Sequence, residues 1–142
     1  MKRKTILLVE DNEDDELMTV RSLRDGGFDG EIAVVRDGQE AVDWIRGDRQ
    51  ADVILLDIRL PKLSGFQVLE AVRAYKPTRH IPVVMLTAST EQEDMVRSYD
   101  LRANSYIRKP VDYKEFERVV KSLGVYWTEY NQWPRMNTNS HE

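Results

Sequence analysis

Val53-Ile54-Leu55-Leu56-Asp57 is an apolar run that stops on a carboxylate. A stretch this short, built from branched aliphatics and followed by Pro61 and Gly65, reads as a parallel-sheet strand buried on both faces. Asp57 then sits at the sheet's carboxyl edge, where open α/β sheets place their ligands. It is the first candidate for a reactive group. The plainer reading, a polar residue ending a strand, stays open at this point.

Upstream, Thr5-Ile6-Leu7-Leu8-Val9 is a second such run and ends in Glu10-Asp11-Asn12-Glu13-Asp14-Asp15. A helix follows, with Leu17, Val20 and Leu23 at i, i+3, i+6 as its inward face and Gly26-Gly27 as its stop. Further strands are predicted over 31–35, 81–86 and 104–107. Asp37 with Glu40, Ser64 with Gln67, Thr90 with Glu93, and Asp112 with Glu115 each make a capping signature ahead of a helix. The last helix carries Phe116, Val119, Val120 and Leu123 on one face and ends at Gly124. Strict alternation of five strands with five helices predicts an α/β fold, a doubly wound parallel sheet with helices on both faces. Residues 1–124 form this one domain. Residues 125–142 form an aromatic C-terminal tail, disordered over Arg135 to Glu142.

The chain of 142 residues suits one domain, and with 41% hydrophobic and 32% charged residues it can bury an ordinary core. It has no cysteine, which excludes disulfides, thiolate catalysis and Cys-based metal sites. A net charge of -4 leaves no electrostatic footprint for nucleic acid. No apolar run reaches the length of a membrane span or a signal peptide, so no membrane partner is expected and the protein is expected to be cytoplasmic.

At the strand ends lie Glu10 and Asp11 after the first, Asp57 after the third, Thr87 after the fourth and Lys109 after the fifth. Each has an everyday explanation: acids favour a helix N-terminus, Thr ends strands, and Lys lines loops. Their coincidence on one edge of a parallel sheet does not. Three converging carboxylates repel unless a cation neutralises them, and Mg²⁺ suits a site that offers carboxylates and leaves positions for phosphate oxygens. Lys109 adds positive charge where phosphoryl oxygens would lie. The assembly suits phosphoryl transfer onto a carboxylate.

Leu7-Leu8-Val9-Glu10-Asp11, Leu55-Leu56-Asp57-Ile58-Arg59-Leu60-Pro61, Val84-Met85-Leu86-Thr87-Ala88 and Tyr106-Ile107-Arg108-Lys109-Pro110 together resemble the receiver domain of bacterial two-component response regulators, over residues 4–123. The resemblance implies a flavodoxin-like receiver fold with strand order 2-1-3-4-5. It implies that Asp57 is the phosphorylation site, charged by a sensor histidine kinase. Asp11, the Asp57 carboxylate and the Arg59 backbone carbonyl would hold the metal, with Glu10 acting through water. Lys109 and Thr87 would bind the phosphoryl group, Thr87 and Tyr106 would form the switch, and the Lys109–Pro110 bond would be cis. Arg102 departs from the family, which has Gly there. Ala103-Asn104-Ser105-Tyr106-Ile107-Arg108-Lys109-Pro110-Val111-Asp112, with Tyr126-Trp127 and Asn131, is similar to the stand-alone regulators paired with bacterial phytochromes.

The implied activity is a phosphorylation switch acting by protein contact, not an enzyme. Phosphatases with an aspartate nucleophile on a similar sheet place an Asp two residues later, where this chain has Arg59. A phosphorelay intermediate or phosphate sink would use the same residues. A scaffold receiver that is never phosphorylated would not need them, yet every reactive position is filled. For the tail two readings stand. Phe116, Tyr126, Trp127, Tyr130 and Trp133 form a homodimer interface, since aromatics are enriched in interfaces, or the segment folds back on its own domain.

Overall fold

A computed structural model of the chain describes residues 3–109 and 112–135. Five strands, β1 (Thr5–Val9), β2 (Glu31–Val35), β3 (Val53–Leu56), β4 (Val83–Thr87) and β5 (Ser105–Arg108), alternate with five helices, α1 (Glu13–Asp25), α2 (Gly38–Ile45), α3 (Gly65–Ala74), α4 (Gln92–Asp100) and α5 (Tyr113–Val125). The sheet is wholly parallel in the order β2-β1-β3-β4-β5, as the resemblance implies. β1, β3 and β4 are buried along their whole length, while β2 and β5 at the edges are partly exposed. This is why the three central strands read as unbroken aliphatic runs.

Alternate side chains of each strand feed two cores. Leu7, Val9, Ile54, Leu56, Val83 and Met85 pack with α2 and α3 through Ala41, Val42, Ile45, Phe66, Val68, Leu69 and Val72. Ile6, Leu8, Val53, Leu55, Val84 and Leu86 pack with α1 and α5 through Leu23, Phe116, Val120 and Leu123.

Two of the four expected capping pairs set their helix starts. Ser64 and Gln67 form a full capping box on α3, and the Asp37 carboxylate accepts from the Glu40 N–H to start α2. A Cβ on Gly65 would meet the Asp57 carbonyl oxygen at 2.1 Å, so only glycine lets α3 begin against the end of β3. Elsewhere the structure departs from expectation. α4 starts at Gln92 after Glu91 with no side-chain cap, leaving Thr90 outside the helix. The Asp112 carboxylate accepts from Lys114 rather than from Glu115. Of the expected inward face of α1, Val20 and Leu23 do meet the core, joined by buried Thr19 and Ser22, but Leu17 is 60% exposed. Steps of three lag the 3.6-residue turn, so two such steps carry Leu17 round to the outer side.

Gly124 does not end the last helix. It is buried within α5, where its missing side chain lets the backbone approach Leu23 and Phe28. The chain then winds on through a π turn, Tyr126–Tyr130, closed by the Asn131 N–H donating to the Tyr126 carbonyl at 2.8 Å. Phe116, expected at a dimer interface, is 2% exposed and belongs to the core: it faces the sheet as the first inward residue of α5. Trp127 packs against the core under α1 and α5, and Trp133 against the core under α2 and α3. Arg135 stacks over Trp133 at 4.3 Å and pairs with Asp52 at 2.5 Å. Through Arg135 the tail therefore folds back on its own domain, leaving Tyr126 and Tyr130 exposed. Arg135, the first residue of the stretch expected to be disordered, is thus held in place, while Met136–Glu142 lie outside the described residues, as do Pro110, Val111 and the expected cis bond.

Candidate functional site

Parallel register delivers the site. Val9 is paired with Leu56 and Leu56 with Met85, so Glu10 and Asp57 leave neighbouring strands at one level, while Lys109, after Arg108 opposite Thr87, leaves β5 on the far side of β4 and two residues further on. Their backbones are tied to neighbouring strands: the Glu10 N–H donates to the Val35 carbonyl at 3.0 Å, Asp57 to Val9 at 3.2 Å, and Lys109 to Thr87 at 2.7 Å.

The Lys109 ammonium is the centre of the cluster. It donates to Glu10 Oε1 at 2.6 Å, Asp15 Oδ2 at 2.9 Å and Asp57 Oδ2 at 3.1 Å, which uses all three of its N–H groups. Its side chain is only 6% exposed. Burial alone pulls the ammonium pKa down, but Asp57, Asp15 and Glu10 outweigh it and hold the net shift upward, so Lys109 stays charged. The other Asp57 oxygen, Oδ1, accepts from the Ile58 N–H at 2.7 Å, which fixes the carboxylate plane.

Glu10 is 1% exposed, and burial pushes its carboxyl up to about 7 despite the hydrogen bond from Lys109. It also accepts from the Asn12 N–H at 3.1 Å. Oxygens of Glu10, Asp11 and Asp57 lie within 4.8 Å of one another, with Asp11 exposed on the solvent side. Three hard oxygen donors in that arrangement fit Mg²⁺ or Mn²⁺, with open positions for water or phosphoryl oxygens.

Thr87 is fully buried, and its hydroxyl accepts from the Ser89 N–H at 3.2 Å. The Tyr106 ring packs into the core beneath α3, and its buried hydroxyl finds no partner among the described residues. The Arg59 side chain points away from the carboxylates to Asp94 at 3.3 Å, and Asp94 also accepts from the Ser89 hydroxyl at 2.6 Å. This pair of bonds ties the loop after β3 to the loop after β4.

Two residues escaped the sequence reading. Asp15 contacts Lys109 from the first turn of α1, and nothing distinguishes it in the acidic run 10–15. Arg73, 7% exposed, sends Nε and Nη2 to the Arg102 carbonyl at 3.0 and 2.8 Å, Nη1 to the Arg79 and Ile81 carbonyls at 3.0 and 2.7 Å, and Nη2 to Asn104 Oδ1 at 2.8 Å. Burial lowers its pKa to about 10, still charged at neutral pH. Arg102 stands at φ 70, a left-handed conformation that glycine adopts most readily, and Arg73 clamps its carbonyl there.

Comparison with known proteins agrees with this geometry. A family model described as "Response regulator receiver domain" matches residues 6–121. The chain is 39% identical over 134 residues to "Probable methanogenesis regulatory protein FilR2" of Methanothrix harundinacea (strain 6Ac), covering 91% of this chain and 86% of that protein. It is 33% identical to Response regulator Rcp1 of Synechocystis sp., covering 89% of this chain and 90% of Rcp1, whose Mn²⁺-bound crystal structure superposes with a TM-score of 0.85 over 92% of this chain and 99% of that one. The crystal structure of the phosphorylated cyanobacterial phytochrome response regulator RcpA is 34% identical with a TM-score of 0.88, covering 94% of this chain and 99% of that chain. The strand order, the acidic cluster beside Lys109 and the matched family model place this chain in the response regulator receiver domain family.

Proposed function

We propose that this chain is a phosphorylation-dependent signalling switch in which Asp57 accepts the phosphoryl group of a sensor histidine kinase, and that this kinase is a bacterial phytochrome. The single observation that carries the first half is the 3.1 Å bond from Lys109 to Asp57 inside the acidic cluster. The second half is supported by the likeness to Rcp1 and RcpA.

In the reaction an Asp57 oxygen attacks the phosphorus of a phosphohistidine, the P–N bond breaks, and the imidazole leaves with the electron pair. Lys109 donates to the transferring oxygens and stays protonated throughout. Glu10, Asp11, Asp57 and the Arg59 carbonyl would hold Mg²⁺, which supplies neutralising charge to the phosphoryl oxygens. Thr87, the last residue of β4 and next to Ala88, gives up the Ser89 N–H to bind the phosphoryl group. Tyr106, already packed inward with an unpartnered hydroxyl, adjusts behind it. The signal then passes by protein contact. The chain acts in the cytoplasm, and the exposed Tyr126 and Tyr130 form the part of the aromatic tail open to a second copy in a homodimer.

Phosphotransfer from a panel of purified histidine kinases tests the pairing. Phytochrome kinases should label the protein within seconds to minutes, and unrelated kinases far more slowly. Equal rates across the panel, or faster labelling by a kinase of another class, would refute it.

A further inference from the structure

Lys109 is held by three carboxylates, but only two of them belong to the cluster whose oxygens fit a divalent cation. Glu10 and Asp57 lie in that cluster with Asp11, and Asp15 does not. When Glu10 and Asp57 turn oxygens towards a dication, they have less negative charge to offer the ammonium, and the dication repels it. The ammonium then depends more on an acid outside the cluster. Asp15 is the remaining acid, at 2.9 Å. Its backbone N–H donates to the Asn12 side chain at 2.9 Å, which fixes it in the first turn of α1, and the side chain is 29% exposed, so part of its charge is stabilised by water.

We propose that Asp15 is a positioning residue: it is the counter-ion that keeps the Lys109 ammonium beside Asp57 when the site is loaded with metal, so that Lys109 meets the incoming phosphoryl group. The bland alternative is that Asp15 is one more acid favouring a helix N-terminus. Asp14 separates the two, because it stands in the same turn, exposed, with no contact to Lys109. This proposal rests on Asp57 being the phosphoryl acceptor.

Beryllofluoride, a stable mimic of a phosphoryl group on an aspartate, provides a readout without turnover. Wild type, Asp15→Ala, Asp15→Asn and Asp14→Ala are titrated with it by NMR, each at a Mg²⁺ concentration that saturates that variant, so that differences in metal affinity do not enter. Asp15→Ala should bind about tenfold more weakly, the effect of losing one hydrogen bond to a charged group. Asp15→Asn, which keeps a neutral acceptor, should fall between, and Asp14→Ala should match wild type. Slow exchange of the Lys109 ammonium protons in the Mg²⁺-loaded protein should be lost in Asp15→Ala alone. Wild-type affinity in Asp15→Ala, or an equal loss in Asp14→Ala, overturns the proposal. A wild-type protein that binds no beryllofluoride at all would instead reject the acceptor reading of Asp57.

Discussion

Glu10 shows how burial sets the protonation of a single side chain in the site. Burial lifts its carboxyl from 4.5 to about 7. An acid whose folded pKa is raised holds its proton more tightly folded than unfolded. Its contribution is therefore favourable below the unfolded value and is lost as pH rises towards 7, the difference reaching about 3 kcal/mol when ionisation is complete. In chelator, urea denaturation from pH 5 to 8 should show wild-type stability falling, while Glu10→Gln stays flat over that range. A wild-type profile that rises with pH would contradict the account. At this scale Glu10, Asp11, Asp57 and Thr87 stand out in the sequence because each ends or follows an aliphatic run, whereas Lys109 follows the short, mixed strand Ser105–Arg108. Asp15 does not stand out, since only the geometry of Lys109 selects it from five other polar residues nearby.

Among the elements, β5 depends most on residues distant in sequence. Its edge position leaves it half-covered, and Arg73 from α3 fixes its entrance through Arg102 and Asn104, whose side chain also accepts from the Val83 N–H. β5 in turn carries Tyr106 and leads into Lys109. Arg73→Leu strips several buried acceptors of their donor and should cost about 3 kcal/mol or more. Arg102→Gly relieves a left-handed residue at some entropic cost and should stabilise by about 0.5 kcal/mol. Thermal melts of both variants check this, and a stabilised Arg73→Leu or a strongly destabilised Arg102→Gly would contradict it. The central strands could be read from sequence because burial on both faces leaves an uninterrupted apolar run. The inward face of α1 could be read only in part, because polar Thr19 and Ser22 share it with Val20 and Leu23 while Leu17 faces out. Gly124 misled for a related reason: glycine ends many helices, but here it serves close packing against Leu23.

In the whole molecule, the tail joins the two cores that the sheet separates. Trp127 leans on one, Trp133 on the other, and Arg135 reaches Asp52, whose second oxygen accepts from the Thr5 N–H at the start of β1. Composition marked these aromatics as needing a partner surface without saying whose. Truncation after Gly124 should cost about 3 kcal/mol or more in urea denaturation, the scale of removing a packed tryptophan, while leaving phosphorylation of Asp57 intact. An unchanged midpoint would show that the tail contributes no packing energy. The most direct measurement of the central claim is the intact mass of wild type and Asp57→Asn after incubation with acetyl phosphate and Mg²⁺, with a parallel sample in chelator. Wild type should gain one phosphoryl group only when Mg²⁺ is present, and Asp57→Asn should gain none. A phosphoryl group on Asp57→Asn, or on wild type in chelator, would contradict the assignment of Asp57 as the metal-dependent acceptor.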